Sequence, residues 1–185
     1  MIIKIDDTIR LELISDEHAQ PIFDVVDKNR AYLRAWLPFV DAMQTVAFAE
    51  NFVRGTMHRN SEGHEYDFVI MDCDVLIGRI GVYKIDPQNK IGEIGYWLAE
   101  SHQGKGIVTK SCRSLLHFCF VELLLNRIEI KCGTENTRSA TIPEKLHFKH
   151  EGIIRDGEQL YGRFIDLNLY AILKKDFLGT FMFNK

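Results

Sequence analysis

The sequence predicts a single mixed α/β domain. Three features carry that reading: strand-like alternation near the amino terminus followed by helical periods, a change to strand-like runs from Glu65 onward, and a glycine-bearing loop that leads into a long helical stretch past mid-chain. With 185 residues, 46% hydrophobic and 11% aromatic, the chain can bury a substantial core without a disulfide or metal. One domain over residues 1–185 is the expectation, since no repeat, low-complexity segment or linker interrupts it.

Thr8 to Ile14 alternates like a half-buried strand, and Ser15 before Asp16 and Glu17 suits a helix start. Ala19, Ile22, Phe23 and Val26 mark one face of that helix. A second helical stretch carries Leu33, Trp36 and Leu37 and is expected to stop at Pro38; a third starts near Thr45 with Phe48, Phe52 and Val53 facing inward. Tyr66–Cys73, Val75–Ile85 and Ile91–Ala99 then read as a three-stranded meander, divided by Asp72-Cys73-Asp74 and by Asp86-Pro87-Gln88-Asn89. A helix from about Gly106 to Leu124 follows, with Cys112, Leu115, Leu116, Cys119, Phe120 and Leu123 at helical spacing. A strand over Arg127–Cys132, a helix over Arg138–Leu146 and two strands, Phe148–Arg155 and Leu160–Leu173, complete the pattern. The tail from Lys174 carries no signal.

The 23 basic and 26 acidic residues nearly cancel, to a formal charge of -3, so no global field draws the protein to nucleic acid or an anionic membrane. Any bound anion must be held locally. Cys73, Cys112, Cys119 and Cys132 lack a Cys-x-x-Cys spacing and read as buried reduced thiols, with no metal expected. No apolar run approaches the roughly 20 residues that span a bilayer, and no basic-then-apolar leader opens the chain, so the cytoplasm is the expected location.

The segment from Glu93 to Thr109 carries the chemistry. It reads as a strand, a loop with Gly104 and Gly106, and a helix start, an arrangement suited to phosphate. Glycines let the backbone approach closely, free N–H groups point outward, and the helix dipole adds partial positive charge. Two familiar loops narrowly miss. Gly104-Lys-Gly-Ile-Val-Thr-Lys-Ser111 lacks the second glycine of a Walker-type loop because Thr109 stands there, and the same residue breaks a Gly-x-Gly-x-x-Gly reading, although Glu129 lies at a tolerable distance for a ribose-binding acid. Both loops also follow an early strand of a parallel sheet, whereas this one follows an antiparallel-looking meander.

Gln103-x-x-Gly106-x-Val108 resembles the pyrophosphate loop of GNAT-superfamily acetyltransferases, in which glycine or alanine usually stands where Val108 is. Gly95-Tyr96-Trp97-Leu98, Asn136-x-x-Ser139, Glu144-Lys145-Leu146-x-Phe148-x-x-Glu151-Gly152 and Asn168-Leu169-Tyr170 look like the branch of ribosomal-protein N-terminal serine and alanine acetyltransferases. These marks keep the family's order from Ile9 to Lys174. His147 is a second departure, since glycine usually follows Glu-Lys-Leu, and a strained turn is expected there.

The resemblance implies a twisted, mostly antiparallel central sheet flanked by helices, acetyl-CoA as cosubstrate, and direct transfer to an amine, the preferred acceptor being the amino terminus of a ribosomal protein that begins with serine or alanine. The alternatives are a small amine such as a polyamine, amino acid or aminoglycoside as acceptor, or a non-catalytic acetyl-CoA-binding module that regulates a partner. It also implies that Leu98 and Ala99 end a splayed strand whose backbone meets pantetheine and polarises the thioester carbonyl. Gln103, Gly104, Lys105, Gly106, Ile107, Val108 and Thr109 hold the pyrophosphate. Asn136 is a pantetheine contact and Ser139 a donor to the departing thiolate, although their i, i+3 spacing alone suggests capping. Glu158 takes the position of the general base; Arg155-Asp156-Gly157-Glu158 equally reads as a hairpin turn, and Glu93 acting through water is a second candidate. Trp36, Tyr96, Trp97 and Tyr161 are either core residues or walls of an acceptor groove. A homodimer or higher homo-oligomer is expected from the branch.

Overall fold

The computed structural model describes residues 1–181, so the last four residues of the tail lie outside the described residues. One eight-stranded sheet organises the chain: β1 (Ile2–Lys4), β2 (Ile9–Leu13), β3 (Tyr66–Asp72), β4 (Val75–Asp86), β5 (Ile91–Leu98), β6 (Arg127–Gly133), β7 (Lys149–Leu160) and β8 (Arg163–Leu173). The spatial order is β1-β2-β3-β4-β5-β6-β8-β7, antiparallel throughout except for the parallel pair β5/β6. This is the mostly antiparallel sheet that the resemblance implied. β1 is too short, at three residues, to leave a periodic signal.

Between β2 and β3 the chain runs through α1 (Ala19–Lys28), α2 (Arg30–Leu33), α3 (Phe39–Ala42) and α4 (Val46–Ser61). Ser15 opens this region with a capping box, donating its N–H to His18 Nδ1 at 3.0 Å. Pro38 does not simply stop a helix: it stands at the N-cap of α3, where its missing N–H costs nothing. α4 begins as expected, with Thr45 Oγ1 accepting from the Phe48 N–H at 3.3 Å. Its inner face is Ala49, Val53, Thr56 and Asn60, which leaves Phe48 outside that stripe and exposed.

Two cores lie on the two faces of the sheet. On one, Leu11, Phe68, Ile80 and Ile94 pack against α5 (Ile107–His117), through Cys112, Leu115 and Leu116. α5 continues as a π-helical turn over Phe118–Glu122, and α7 (Lys174–Phe181) adds Phe177. On the other face Ile22, Val26 and Val53 cover Val69, Met71 and Trp97. Cys112, Cys119 and Cys132 are buried free thiols, but Cys73 is exposed because it occupies the β3/β4 turn at φ 51°.

The β7/β8 hairpin departs from the expected boundaries. Its turn is Tyr161-Gly162, both at positive φ, as a tight two-residue connection requires. Residues 155–157 form a bulge inside β7: Ile154 pairs with Leu167 and Glu158 with Ile165, while the Asp156 N–H donates to Asp166 Oδ1 at 2.9 Å. The hairpin-turn reading of Arg155 to Glu158 is therefore corrected. Glu158 is a strand residue just past a bulge, a device that re-aims side chains.

Candidate active site

β5 and β6 pair over only three positions, Ile91↔Arg127 to Glu93↔Glu129. Beyond Glu93 each strand stays with its outer neighbour, β5 with β4 as far as Leu98↔Gly78 and β6 with β8 as far as Gly133↔Leu167, so the sheet opens into a wedge. The Ala99 N–H donates to Ile77 O at 2.7 Å, on the β4 side. Strand alternation therefore turns the N–H and C=O of Leu98 and Tyr96 toward the wedge. Gln103 Nε2 donates to Leu98 O at 3.2 Å, so this side chain braces the strand end and the Leu98 N–H faces the slot. Of the two residues expected at the splayed end, Leu98 faces it and the Ala99 amide serves the sheet.

The glycine-bearing loop follows at once. Gly104 and Gly106 adopt φ values of 75° and 74°, and a Cβ on either would meet nothing within 4 Å. The loop thus needs glycine for its left-handed conformation and has open space in front of it. Gly106 is the N-cap of α5, with no side-chain cap. The first helical bond runs from the Lys110 N–H to Gly106 O at 3.0 Å, so the N–H groups of Ile107, Val108 and Thr109 lack helical partners and remain for an anion. Val108 is buried against the core and also lines the cavity in front of the loop. Lys105 is exposed and does not line the cavity.

That cavity, of about 600 Å³, is completed by a face of α6 (Thr137–Lys145) comprising Thr137, Arg138, Thr141 and Lys145. Arg138 and Lys145 were missed in the sequence. Their seven-residue spacing on one helix, with Thr141 between, was the available signal.

A second cavity, of about 410 Å³, continues from it between α6, Trp36 and the strand end Tyr96-Trp97-Leu98. A third, of about 560 Å³, lies on the far side among Trp36, Glu93, Lys131, Cys132 and Glu158. Neighbouring cavities share walls, and Tyr96, Asn136 and Ser139 line both the second and the third. The three cavities thus adjoin in a row from the glycine-bearing loop to the far cleft, with these three residues at the junction between the second and the third. Trp36 enters because Gly133 has no side chain; a Cβ there would sit 2.9 Å from Trp36 Cζ3. Of the four aromatics, Trp36 and Tyr96 line both the second and the third cavity, and Trp97 lines the second while packing in the core. Tyr161 lines none of the three cavities; it donates to Leu37 O at 3.0 Å, with the Arg34 guanidinium 4.1 Å from its ring centre.

Asn136 caps α6, its Oδ1 accepting from the Ser139 N–H at 3.1 Å, so capping and a position at the junction coincide. The Tyr96 hydroxyl lies 3.2 Å from Ser139 O and 3.3 Å from Ser139 Oγ. Burial pushes the Tyr96 phenol far up, so it stays protonated.

The two carboxylates of the far cleft differ. Glu93 accepts from Lys131 at 2.9 Å and Lys84 at 3.1 Å. Burial works to raise its pKa, but these two bonds outweigh it and hold it below the usual range. Glu158 has neither hydrogen bond nor ion pair among the described contacts. Burial raises its pKa, the nearby Glu93 charge adds to that, and Lys84 opposes both. A lowered, doubly bonded carboxylate is a poor proton acceptor and a raised, unencumbered one is a better match.

The family model of the GNAT acetyltransferase domain matches residues 8–149. The ribosomal-protein-serine acetyltransferase of Escherichia coli (strain K12) is 33% identical over 169 residues, which cover 91% of this chain and 94% of that protein. A putative ribosomal N-acetyltransferase of Bacillus subtilis (strain 168), YdaF, is 30% identical, covering 95% and 97%. Among solved structures, the ribosomal-protein alpha-N-acetyltransferase RimL in complex with coenzyme A superposes with a TM-score of 0.90 at 29% identity, covering 94% of this chain and 98% of that one.

Proposed function

This chain belongs to the GNAT acetyltransferase family and is an acetyl-CoA-dependent N-acetyltransferase, and from that premise we propose that it acetylates the amino-terminal α-amine of a ribosomal protein beginning with serine or alanine. The observation that carries the reading is Glu158, a half-buried carboxylate in the cleft beyond Ser139 that makes no side-chain hydrogen bond or ion pair among the described residues, with its pKa raised.

In this reading the α5 amides of Ile107, Val108 and Thr109, with Arg138 and Lys145, hold the phosphates. Leu98 and Tyr96 present backbone groups to pantetheine, and Asn136 holds it at the junction. The amine enters from the far cleft, attacks the thioester carbon as a neutral nucleophile, and passes one proton to Glu158. The C–S electron pair leaves with sulfur, which accepts a hydrogen bond from Ser139 Oγ. A thiol of this kind has a pKa near 8.5, so the thiolate already leaves tolerably and Ser139→Ala slows turnover without abolishing it. No covalent enzyme intermediate is needed.

Magnitudes favour an α-amine over lysine. With a pKa of about 7.7–8.0 it is roughly a tenth neutral at pH 7, against well under a thousandth for lysine near 10.4. The cleft's own charges favour it over a polyamine: Lys84 and Lys131 balance Glu93 and Glu158, leaving no surplus of carboxylates for a polycation. The same reading takes residues 1–185 as one catalytic domain, acting in the cytoplasm as a homo-oligomer.

The test is acetyl transfer from labelled acetyl-CoA to two matched peptides, one with a free Ser or Ala amino terminus and one blocked there but carrying lysine. Labelling of the free terminus alone is expected. Labelling of the lysine peptide alone would overturn the acceptor assignment, and silence on both would turn the search to small amines.

A further inference from the structure

α6 contains a proline in its interior, Pro143. Proline has no N–H, so the carbonyl four residues earlier, that of Ser139, loses its ordinary helical donor. The Tyr96 hydroxyl takes that place, donating to Ser139 O at 3.2 Å from across the wedge. A phenol carries one proton and can also accept. With that proton on the carbonyl, its lone pair lies 3.3 Å from Ser139 Oγ and holds the serine hydroxyl in place at rest, until the serine proton turns to the sulfur during transfer. One hydroxyl therefore holds Ser139 at both main chain and side chain.

The clamp joins the two elements that form the junction. Tyr96 lies on the part of β5 that has parted from β6, where its backbone groups face the wedge, and Ser139 lies in the first turns of α6. Both line the slot and the acceptor cleft.

We propose that Tyr96 is a positioning residue for acetyl transfer: freed by the break that Pro143 makes in the α6 ladder, the Ser139 carbonyl anchors the Tyr96 hydroxyl, which fixes where Ser139 Oγ stands relative to the thioester sulfur. This rests on the reading of Ser139 as the donor to that sulfur. Pro143 is thereby functional as well as structural, since an ordinary residue there would return the carbonyl to the helix.

The test measures kcat and the KM for acetyl-CoA in Tyr96→Phe, Ser139→Ala, their double variant and Pro143→Ala. Tyr96→Phe is expected to lower kcat on the order of tenfold, the value of one lost hydrogen bond, with KM changed by no more than about twofold. The double variant should be no slower than Ser139→Ala, because the tyrosine acts through the serine. Pro143→Ala restores an N–H to the Ser139 carbonyl and should lower kcat several-fold while the protein stays folded. A kcat within about twofold of the parent in Tyr96→Phe overturns the inference, as does a loss that multiplies fully with that of Ser139→Ala. If Ser139→Ala is silent while Tyr96→Phe is slow, the donor reading of Ser139 falls and Tyr96 acts directly, which also overturns a positioning role.

Discussion

Replacing Glu158 with glutamine keeps the shape of the side chain and removes its ability to take a proton. In the parent the carboxylate is lifted by burial and by Glu93, against the pull of Lys84. The lift matters because the proton comes from an amine near 7.7–8.0, and each pKa unit by which the base approaches it removes about 1.4 kcal/mol from the transfer. Loss of a positioned base typically lowers the rate by about 10²–10⁴. The assay is kcat/KM for a Ser-initial peptide against pH, at saturating acetyl-CoA. Below the pKa of Glu158 both the base and the amine must lose a proton, so the parent profile rises with a slope of two. Between the two pKa values the slope is one, and it levels off near pH 8. Glu158→Gln should fall by two to four decades and show a slope of one, with no slope-two segment, up to the same plateau near pH 8. Stability separates this from unfolding. Because the folded-state pKa is raised, the stability linked to this group is full below its ordinary value and declines as pH climbs through the raised one. Glutamine has no such decline, so the variant should melt no lower than the parent at pH 7. Retention of kcat/KM within about threefold, or persistence of the slope-two segment, would refute Glu158 as the base.

Three further expectations follow from named geometry. Gly106→Ala forces a side chain into φ 74° and should cost about 1–2 kcal/mol in a denaturant titration; coenzyme A should also stabilise the variant less in a thermal-shift comparison, since the α5 amides are displaced. His147 sits at φ 60° in a Schellman motif, with the Phe148 N–H on Pro143 O at 2.9 Å and the His147 N–H on Glu144 O at 3.1 Å; His147→Gly relieves the strain and should raise stability by about 0.5–1 kcal/mol, less whatever the imidazole contributes by its own contacts. Asp67 is fully buried and pairs with Arg79, whose Nε lies 3.3 Å from Asp67 Oδ1; Asp67→Ala strands that cation in the core and should cost about 3–5 kcal/mol in the same titration.

The element pattern was legible because each element's side chains had to declare which face met the core. Alternation over Ile9–Leu13, the meander from Tyr66 to Leu98 and the helical spacing of Cys112, Leu115 and Leu116 all arise from burial on one face of an element. The glycine-bearing loop before α5 was legible too, since left-handed backbone at Gly104 and Gly106 restricts residue choice locally. The hairpin was misplaced because Asp156-Gly157 carries turn chemistry that a bulge uses equally well, and only pairing with β8 distinguishes the two. Phe48 was turned inward because one residue of helical phase is hard to fix from a single sequence.

What the sequence by itself determined was the order of most elements and the glycine-bearing loop before α5, properties of short stretches of chain, while Asn136, Ser139 and Glu158 were singled out by the family resemblance. Only the tertiary structure decided how those stretches meet. The parting of β5 from β6 beyond Glu93, Arg138 and Lys145 facing the loop from α6, Glu93 neutralised by Lys84 and Lys131, and the Tyr96 hydroxyl on the carbonyl that Pro143 left open all join residues remote in the chain. Local propensity acts within a few residues, whereas hydrogen bonds and charges act through space, so these contacts leave no periodic trace in the chain that encodes them.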